Sequence, residues 1–265
     1  MVWTIGACVD RYAEADFSQQ KINPKIGGQW QPNPHLMIRA ASFQTVKPAL
    51  YVQQNIEPTE VDGFNQFFDE GNGTRARRDI VALDIKAAPS IDLQFEASRR
   101  RLSLPIQSDN VQVSTEAQQE KANRLSGGWR IGPRWSIAGE ARSEEFQRQA
   151  EFLSGPARIR THAATLGVRY FDPNGVFAPL TGTAVRQNVD SFDSVLKLTN
   201  ADHFAQLDAA LGMRLPHRTG SVAIEGKNLL NKKFCYQDAN FRTPAQQTPP
   251  FIRARSVVLQ VTAAF

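Results

Sequence analysis

Histidine is the side chain of this sequence best suited to acid–base chemistry, and it is scarce. The four histidines, His35, His162, His203 and His217, are widely separated along the chain. Only His203 has a carboxylate directly beside it, Asp202, and an Asp–His pair could serve as a general base. A hydrolase would also need a nucleophile motif such as GxSxG, which the sequence lacks. The residues therefore predict a non-catalytic protein.

Cysteine and glycine spacing indicates neither a metal centre nor a cofactor site. Cys8 and Cys235 lie far apart and form no CxxC pattern, so we expect two unpaired thiols, with one disulfide as the alternative. The glycine pairs Gly27-Gly28 and Gly127-Gly128 are typical of bulges or turns, as is Gly71-Asn-Gly73. No phosphate-binding loop or metal-spaced His/Cys cluster is present. We therefore expect no metal and no cofactor.

One irregular segment carries side chains that could contact a ligand. Residues 47–73 show no clear alternation, and the segment is longer than a connection in a compact domain usually is unless it is functional. The candidate ligand or plug residues in it are Phe64, Asn65, Gln66, Phe67 and Phe68. They could bind a ligand or plug a channel mouth, or they could fold inward and seal the interior. The sequence leaves both possibilities open.

Charge and composition describe an ordered chain with a mild excess of arginine. The 265 residues carry a formal net charge of +5, and 22% are charged, which is ordinary for a globular protein. Arginine runs occur at Arg75–Arg77–Arg78 and Arg99–Arg100–Arg101. No RNA-binding motif or recognition-helix pattern accompanies them, so we expect no nucleic-acid partner. A water-exposed face, or the lipopolysaccharide level of a membrane, suits these arginines better.

Alternating apolar and polar residues are the strongest structural pattern. Strict alternation predicts β-strands whose two faces meet different solvents, as in Ile91–Ala97, Ala205–Leu215 and the terminal segment Phe251–Phe265. Charged residues in the middle of such strands, for example Asp84 and Glu140, must face a wet interior or a solvated outer surface. Residues 116–129 could be helical by propensity, but we interpret them as a loop that runs into a strand.

The connections between these segments alternate between short and long. Short turns are predicted near residues 31–35, 88–90, 131–134, 172–175 and 216–220. Long polar loops are predicted between them, at about residues 12–20, 47–73, 103–115, 152–158, 190–202 and 228–249. Segments of roughly ten residues are long enough to cross a bilayer when tilted. We therefore predict an all-β, antiparallel up-and-down transmembrane β-barrel portion of about 12 strands, with short periplasmic turns and long outer loops, as one domain over residues 1–265.

Three segments resemble the barrels of TonB-dependent outer-membrane receptors. Gly226–Asp238 is similar to the penultimate strand and loop of that family, with Leu230 where phenylalanine is usual. Ile56–Asp69 is similar to a loop of such barrels, including those attached to tetratricopeptide repeats. The chain also ends on an aromatic residue after an alternating strand, and the resemblance makes this ending the barrel-assembly signal. Its residues are Val257, Leu259, Val261 and Phe265.

The resemblance implies the outer membrane of a Gram-negative bacterium and a receptor or porin-like channel that passes a polar solute. Its partners would be outer-membrane lipid and lipopolysaccharide, the barrel assembly machinery, and TonB through an N-terminal part. The family has a leader, a plug and a 22-stranded barrel, so we expect this chain to be the C-terminal part of a larger barrel; a complete 12-stranded barrel is the alternative. Two other functions stay open: an export or anchoring module of a repeat-containing secretion protein, and a soluble β-rich binding protein.

Overall fold

The structure, a computed structural model, is nearly all β. It describes residues 1–14, 17–47, 60–65, 71–107, 113–149, 155–193, 196–216, 219–232 and 254–263. The strands are β1 (Val2–Glu14), β2 (Phe17–Asn33), β3 (Leu36–Val46), β4 (Glu60–Val61), β5 (Phe64–Asn65), β6 (Arg75–Ala88), β7 (Ile91–Gln107), β8 (Val113–Ile131), β9 (Trp135–Arg148), β10 (Gly155–Phe171), β11 (Val176–Asp193), β12 (Leu196–Arg214), β13 (Gly220–Lys227) and β14 (Ser256–Ala263).

Twelve of these strands form one antiparallel sheet in which each strand pairs with its neighbours along the chain. The remaining two, β4 and β5, form a separate hairpin within the connection from β3 to β6. The prediction of an all-β, up-and-down arrangement of about twelve strands is confirmed. Within the described residues, β1 pairs only with β2 and β14 only with β13, so the sheet has two open edges.

The strands are longer at one end than the sequence predicted. Residues predicted as polar loops near 12–20, 103–115, 152–158 and 190–202 lie mostly in paired strands. Those loop predictions were wrong because strands were predicted from the alternation of apolar and polar residues. The two faces of the sheet are both polar at this end, so the sequence shows no alternation there. Polar side chains hold the sheet there instead: Arg100 Nη1 donates to Glu120 Oε2 (3.1 Å) and Arg99 Nε to Gln119 Oε1 (3.1 Å).

A segment with helical propensity and a segment that contains a proline are also strands. Residues 116–129, which we interpreted as a loop that runs into a strand, belong to β8 throughout, so the loop interpretation was wrong. They pair with β7 and, from Gln118 onwards, also with β9. Pro179 lies inside β11, where pairing to β12 skips residues 178 and 179 without a change of register. A proline has no backbone N–H to donate to the neighbouring strand, which explains why the pairing between β11 and β12 is interrupted at this point. The described residues include no helix that is long and apolar enough to cross a membrane.

The short turns lie at one end of the sheet, as predicted. The turn between β10 and β11 is the best defined: Asp172 Oδ1 accepts a hydrogen bond from the Asn174 backbone N–H (2.9 Å), and Asp172 Oδ2 accepts one from the Tyr170 hydroxyl (3.0 Å). These donors stabilise the carboxylate and lower the pKa of Asp172 below its ordinary value. Gly175 closes the turn with a φ of 96°, a conformation that favours glycine.

Candidate functional site: a two-faced sheet with a docked hairpin

Strand pairing aligns most of the large exposed apolar side chains of the twelve-stranded sheet on one face, which we call the apolar face. One row of directly paired residues crosses nine strands, from Trp30 on β2 to Ala205 on β12. We call the apolar side chains of this face the apolar belt. Its larger members are Trp3, Ile5, Ile26, Trp30, Val81, Leu93, Phe95, Leu125, Trp129, Trp135, Leu166, Leu180, Leu211, Met213, Ile224, Val257, Leu259 and Val261.

The apolar belt is exposed, which is the reverse of a soluble core. Ile5 is 77% exposed, Leu211 63% and Val257 70%. Monomeric soluble proteins rarely expose a contiguous apolar patch of more than a few hundred Å², and larger patches mark contact with protein or membrane. The belt therefore requires a covering medium.

Tryptophan is concentrated on this same face. The sequence has four tryptophans, and Trp3, Trp30, Trp129 and Trp135 are all exposed members of the belt. Trp30, Trp129 and Trp135 lie close to the short turns, and the Trp135 ring centroid is 4.8 Å from that of Tyr170. An aromatic girdle at the edge of an apolar band is the arrangement found where membrane meets water.

The predicted assembly-signal residues lie at the open edge of this face. Val257, Leu259 and Val261 are on β14 and pair with Gly226, Ile224 and Val222 of β13. Each is at least 64% exposed. Phe265 lies outside the described residues.

The opposite face of the sheet, which we call the polar face, carries a ladder of paired charges. Arg39 Nε donates to Asp84 Oδ2 (2.9 Å), and Gln94 Nε2 donates to Asp84 Oδ1 (2.9 Å). Arg124 Nε donates to Glu140 Oε2 (2.9 Å). Strand register produces these contacts: Gln94 is directly opposite Asp84, whereas Arg39 and Arg124 each reach a carboxylate two residues away from their direct partner on the same face. The polar face therefore presents hydrogen-bond donors and acceptors as well as charges of both signs.

The mid-strand charges singled out in the sequence share the polar face by register. None of them lies in the apolar belt. These residues are Asp84, Lys86, Asp92, Glu96, Glu140, Arg142, Arg169, Asp208, Arg214, Glu225 and Lys227.

The hairpin of β4 and β5 turns on Asp62 and Gly63. Their φ angles are 50° and 80°, so both central residues are left-handed, as a two-residue type I′ turn requires. Val61 and Phe64 pair directly across the turn. We did not predict this hairpin from the sequence, although an Asp-Gly dipeptide between two apolar residues is a strong hairpin signal.

The hairpin docks on the polar face through an apolar contact. Val61 and Phe64 are 1% and 4% exposed, and they form the buried cluster with side chains from β3 and β6. The partners in this cluster are Ala41, Phe43, Ile80 and Ala82. Burial of a phenylalanine and a valine contributes about 1.5–3 kcal/mol each relative to exposure. The contact therefore supplies enough free energy to hold a short hairpin against the sheet.

Polar contacts fix the hairpin at its turn. Thr4 Oγ1 on β1 donates to Asp62 Oδ1 (2.9 Å). The Arg39 guanidinium lies 4.9 Å from the centroid of the Phe64 ring, and its Nη1 donates to the Gly63 carbonyl (3.4 Å). The hairpin is thus held from β1 and from β3, on either side of β2.

The segment that carries the hairpin is tied to the sheet at its base. The Lys47 N–H donates to the Thr74 carbonyl (2.9 Å), and the Gly73 N–H donates to the Lys47 carbonyl (2.9 Å). Gly73 has a φ of 73°, and a Cβ atom there would lie 2.5 Å from the Tyr12 ring. The close approach to β1 therefore requires glycine.

Of the five predicted ligand or plug residues, the structure describes Phe64 and Asn65. Phe64 is buried in the cluster, while Asn65 is exposed and its carbonyl accepts a hydrogen bond from Arg78 Nη1 (3.3 Å). Gln66, Phe67 and Phe68 lie outside the described residues. For Phe64, the geometry corresponds to the inward-folding alternative rather than to an exposed ligand contact.

The Asp202–His203 pair does not have the geometry of a general base. The Asp202 carboxylate accepts a hydrogen bond from the backbone N–H of His203 (2.8 Å), and the two residues are on opposite faces of β12. The Cys8 thiol lies 3.6 Å from the Asp10 carboxylate, and Cys235 is outside the described residues. No cluster of metal-ligating side chains occurs in the part of the chain that the structure describes.

Comparison with known proteins adds no family. No family model matches the chain, and no curated protein is similar enough to count as a match. The geometry of the two faces and of the docked hairpin therefore carries the functional argument.

Proposed function

We propose that this chain is a β-barrel segment of the outer membrane of a Gram-negative bacterium that admits or passes a polar solute without catalysing a reaction. The observation that carries the proposal is the register of the sheet: an exposed apolar belt on one face lies opposite a ladder of paired charges on the other. In a barrel, the apolar face would contact lipid and the polar face would line the interior. The resemblance to TonB-dependent receptors agrees with such a role.

Electrostatic cost supports this assignment of faces. A lysine or arginine that faces lipid at the midplane of a barrel costs about 2–4 kcal/mol. The mid-strand charges singled out in the sequence are on the polar face, and several charges of that face are neutralised by a neighbour, as in the pairs of Arg39 with Asp84 and Arg100 with Glu120. A lumen with charges of both signs suits a polar solute.

The length of the belt is compatible with a thin bilayer. On β12 the belt runs from Met213 to Ala205, which is about 26 Å along the strand at roughly 3.3 Å per residue. A tilt of about 40° would reduce this to about 20 Å, close to the apolar band of about 25 Å in outer-membrane barrels. The charged strand ends beyond the belt would then project into the outer headgroup layer.

The open edges of the sheet have a consequence in lipid. Backbone groups in the hydrocarbon layer need partners, since each unsatisfied group costs several kcal/mol. β1 and β14 would therefore pair with each other or with further strands when the barrel is closed. The docked hairpin would narrow the interior beside β1, β3 and β6.

Solute passage can be measured with the full chain refolded into phosphatidylcholine vesicles. We expect the vesicles to swell in isotonic solutions of small polar solutes, with swelling that falls as solute size rises. Phe64→Asp places a charge in the buried cluster and should release the hairpin, which would raise the size limit. The matched control Asn65→Asp adds the same charge at an exposed neighbour and should leave swelling unchanged.

Two results would contradict the proposal. The first is a monodisperse, folded chain in buffer without detergent or lipid. The second is stable insertion of the refolded chain with no swelling in any solute and no change in Phe64→Asp, which would leave a membrane anchor without a passage.

A further inference from the structure

A groove opens on the apolar face where the belt meets the longer, charged ends of the strands. Its floor is a single row of alanines, because Ala141, Ala164, Ala184 and Ala205 are direct partners across β9, β10, β11 and β12. The next row towards the turns alternates glycine with leucine, so gaps at the glycines lead from the floor into the belt; its residues are Gly139, Leu166, Gly182 and Leu207. The cavity volume is about 820 Å³, within the range of small-molecule sites. We call this feature the alanine groove.

The end of the alanine groove away from the turns is cationic. His162, Arg186 and His203 are direct partners on β10, β11 and β12 and form the next row beyond the alanines. Lys232 also lines the groove. Among the described residues that line it, none is acidic. Direct partners have Cβ atoms about 4.5–5.5 Å apart, so three nitrogen-bearing heads lie within reach of one anion.

Arg186 has an unmatched charge, unlike Arg101 and Arg158 on the same face. Arg101 pairs with Asp79 (3.0 Å), and Arg158 Nε donates to Glu145 Oε1 (2.7 Å). The exposed guanidinium of Arg186 makes no hydrogen bond or ion pair with any residue that the structure describes. It is therefore free to make bidentate hydrogen bonds to a phosphate.

The geometry points to a binding site for one membrane lipid with a net-anionic phosphate headgroup. The headgroup phosphate lies on the row of His162, Arg186 and His203, and an acyl chain runs over the alanine floor into the belt. The order of the rows favours a lipid over a peptide, since the row that contains Arg186 is at the membrane edge and the apolar trough leads towards the bilayer centre. The inference rests on the proposed membrane location, which it deepens by naming a specific lipid site.

Lipid retention tests the site in the full chain. The protein is refolded into vesicles of dioleoyl phosphatidylcholine that contain a minor fraction of dioleoyl phosphatidylglycerol, and lipids that stay bound are identified by native mass spectrometry. We expect one phosphatidylglycerol to be retained in preference to phosphatidylcholine. Arg186→Gln should lower this preference roughly tenfold, the loss expected for a charge-assisted hydrogen bond. Arg101→Gln is the control, because it removes an equal charge from the same face outside the groove.

A second variant separates a lipid from a free anion. Ala184→Phe fills the floor without a change of charge, so it should also abolish retention of phosphatidylglycerol. Competition by inorganic phosphate at millimolar concentration, with full retention in Ala184→Phe, would overturn the lipid assignment in favour of a free anion. Equal losses in Arg186→Gln and Arg101→Gln would overturn the site and leave only surface charge. A chain that inserts but retains both lipids equally contradicts this inference alone, whereas a chain that never enters the vesicles contradicts the proposed membrane location as well.

Discussion

Leu166→Arg distinguishes a lipid-facing belt from a water-facing sheet by the size of one free-energy change. Leu166 is 58% exposed in the middle of β10, and its direct partners on β9 and β11 are Gly139 and Gly182. An arginine side chain therefore has room on both sides, and steric clash adds little to its effect. What remains is the cost of placing a guanidinium in the surrounding medium.

The two media predict very different costs for this substitution. In a bilayer, arginine near the midplane of a barrel destabilises by about 2–4 kcal/mol. At about 1.4 kcal/mol per factor of ten, this lowers the folding equilibrium constant roughly 30- to 700-fold. In water, an exposed substitution away from special features stays within about 0.5 kcal/mol.

Equilibrium unfolding in guanidinium, with the chain refolded into phosphatidylcholine bilayers, gives the free energy of unfolding of each variant. Ser126→Arg is the control, because Ser126 lies on the polar face between Gln94 and Glu140, where an added guanidinium meets a carboxylate. We expect a loss of about 2–4 kcal/mol for Leu166→Arg and less than about 1 kcal/mol for Ser126→Arg. Equal, small effects of the two variants would refute the assignment of the apolar face to lipid.

Three further predictions concern the hairpin, the ladder and a turn. Gly63→Ala should lower the free energy of unfolding by about 1–2 kcal/mol, because Gly63 has a φ of 80° and a Cβ atom would lie 2.6 Å from Arg39 Nη1. Gly128→Ala is the control, because the space around a Cβ atom at Gly128 is open. Similar unfolding midpoints for the two variants would contradict the turn geometry. A double-mutant cycle of Arg39→Leu and Asp84→Asn, measured by equilibrium unfolding, should give a coupling free energy of about 0.5–3 kcal/mol. If the effects of the two substitutions on the free energy of unfolding simply add, Arg39 and Asp84 do not stabilise each other. Hydrogen bonds in the turn lower the pKa of Asp172 below its ordinary value of 3.8 in the folded chain. The free energy of unfolding should therefore exceed that of Asp172→Asn by a constant amount above pH 3.8, and this difference should disappear as the pH falls through the lower, folded-state pKa. A difference that grows in acid would contradict this.

Alternation of apolar and polar residues predicted the strands where the two faces of the sheet meet different solvents. In the segment around Leu93 and Phe95, every second residue enters the belt, so the pattern is readable from sequence. The same strand continues to Gln107, but its far end around Arg99–Arg101 is polar on both faces and has no period-2 signal. Cross-strand partners stabilise that part, and sequence alone does not identify them.

Only those parts of the candidate site that depend on residues close together in the sequence could be predicted from it. Asp62-Gly63 between Val61 and Phe64 carries its own hairpin signal, which the sequence analysis passed over. The place where the hairpin docks depends on the side chains that β3 and β6 bring together, such as Phe43, and on the reach of Thr4 from β1. The alanine groove is likewise a product of register, since its four alanines come from four different strands.

Depth-resolved quenching of tryptophan fluorescence measures directly whether the apolar face contacts lipid. All four tryptophans are exposed on that face, so no engineered probe is needed. The chain is refolded into phosphatidylcholine bilayers whose acyl chains carry bromine at different depths, with acrylamide as the aqueous quencher. We expect strong quenching by bromine near the headgroups, from Trp30, Trp129 and Trp135, and weak quenching by acrylamide. Full quenching by acrylamide together with no effect of brominated lipid would contradict this expectation.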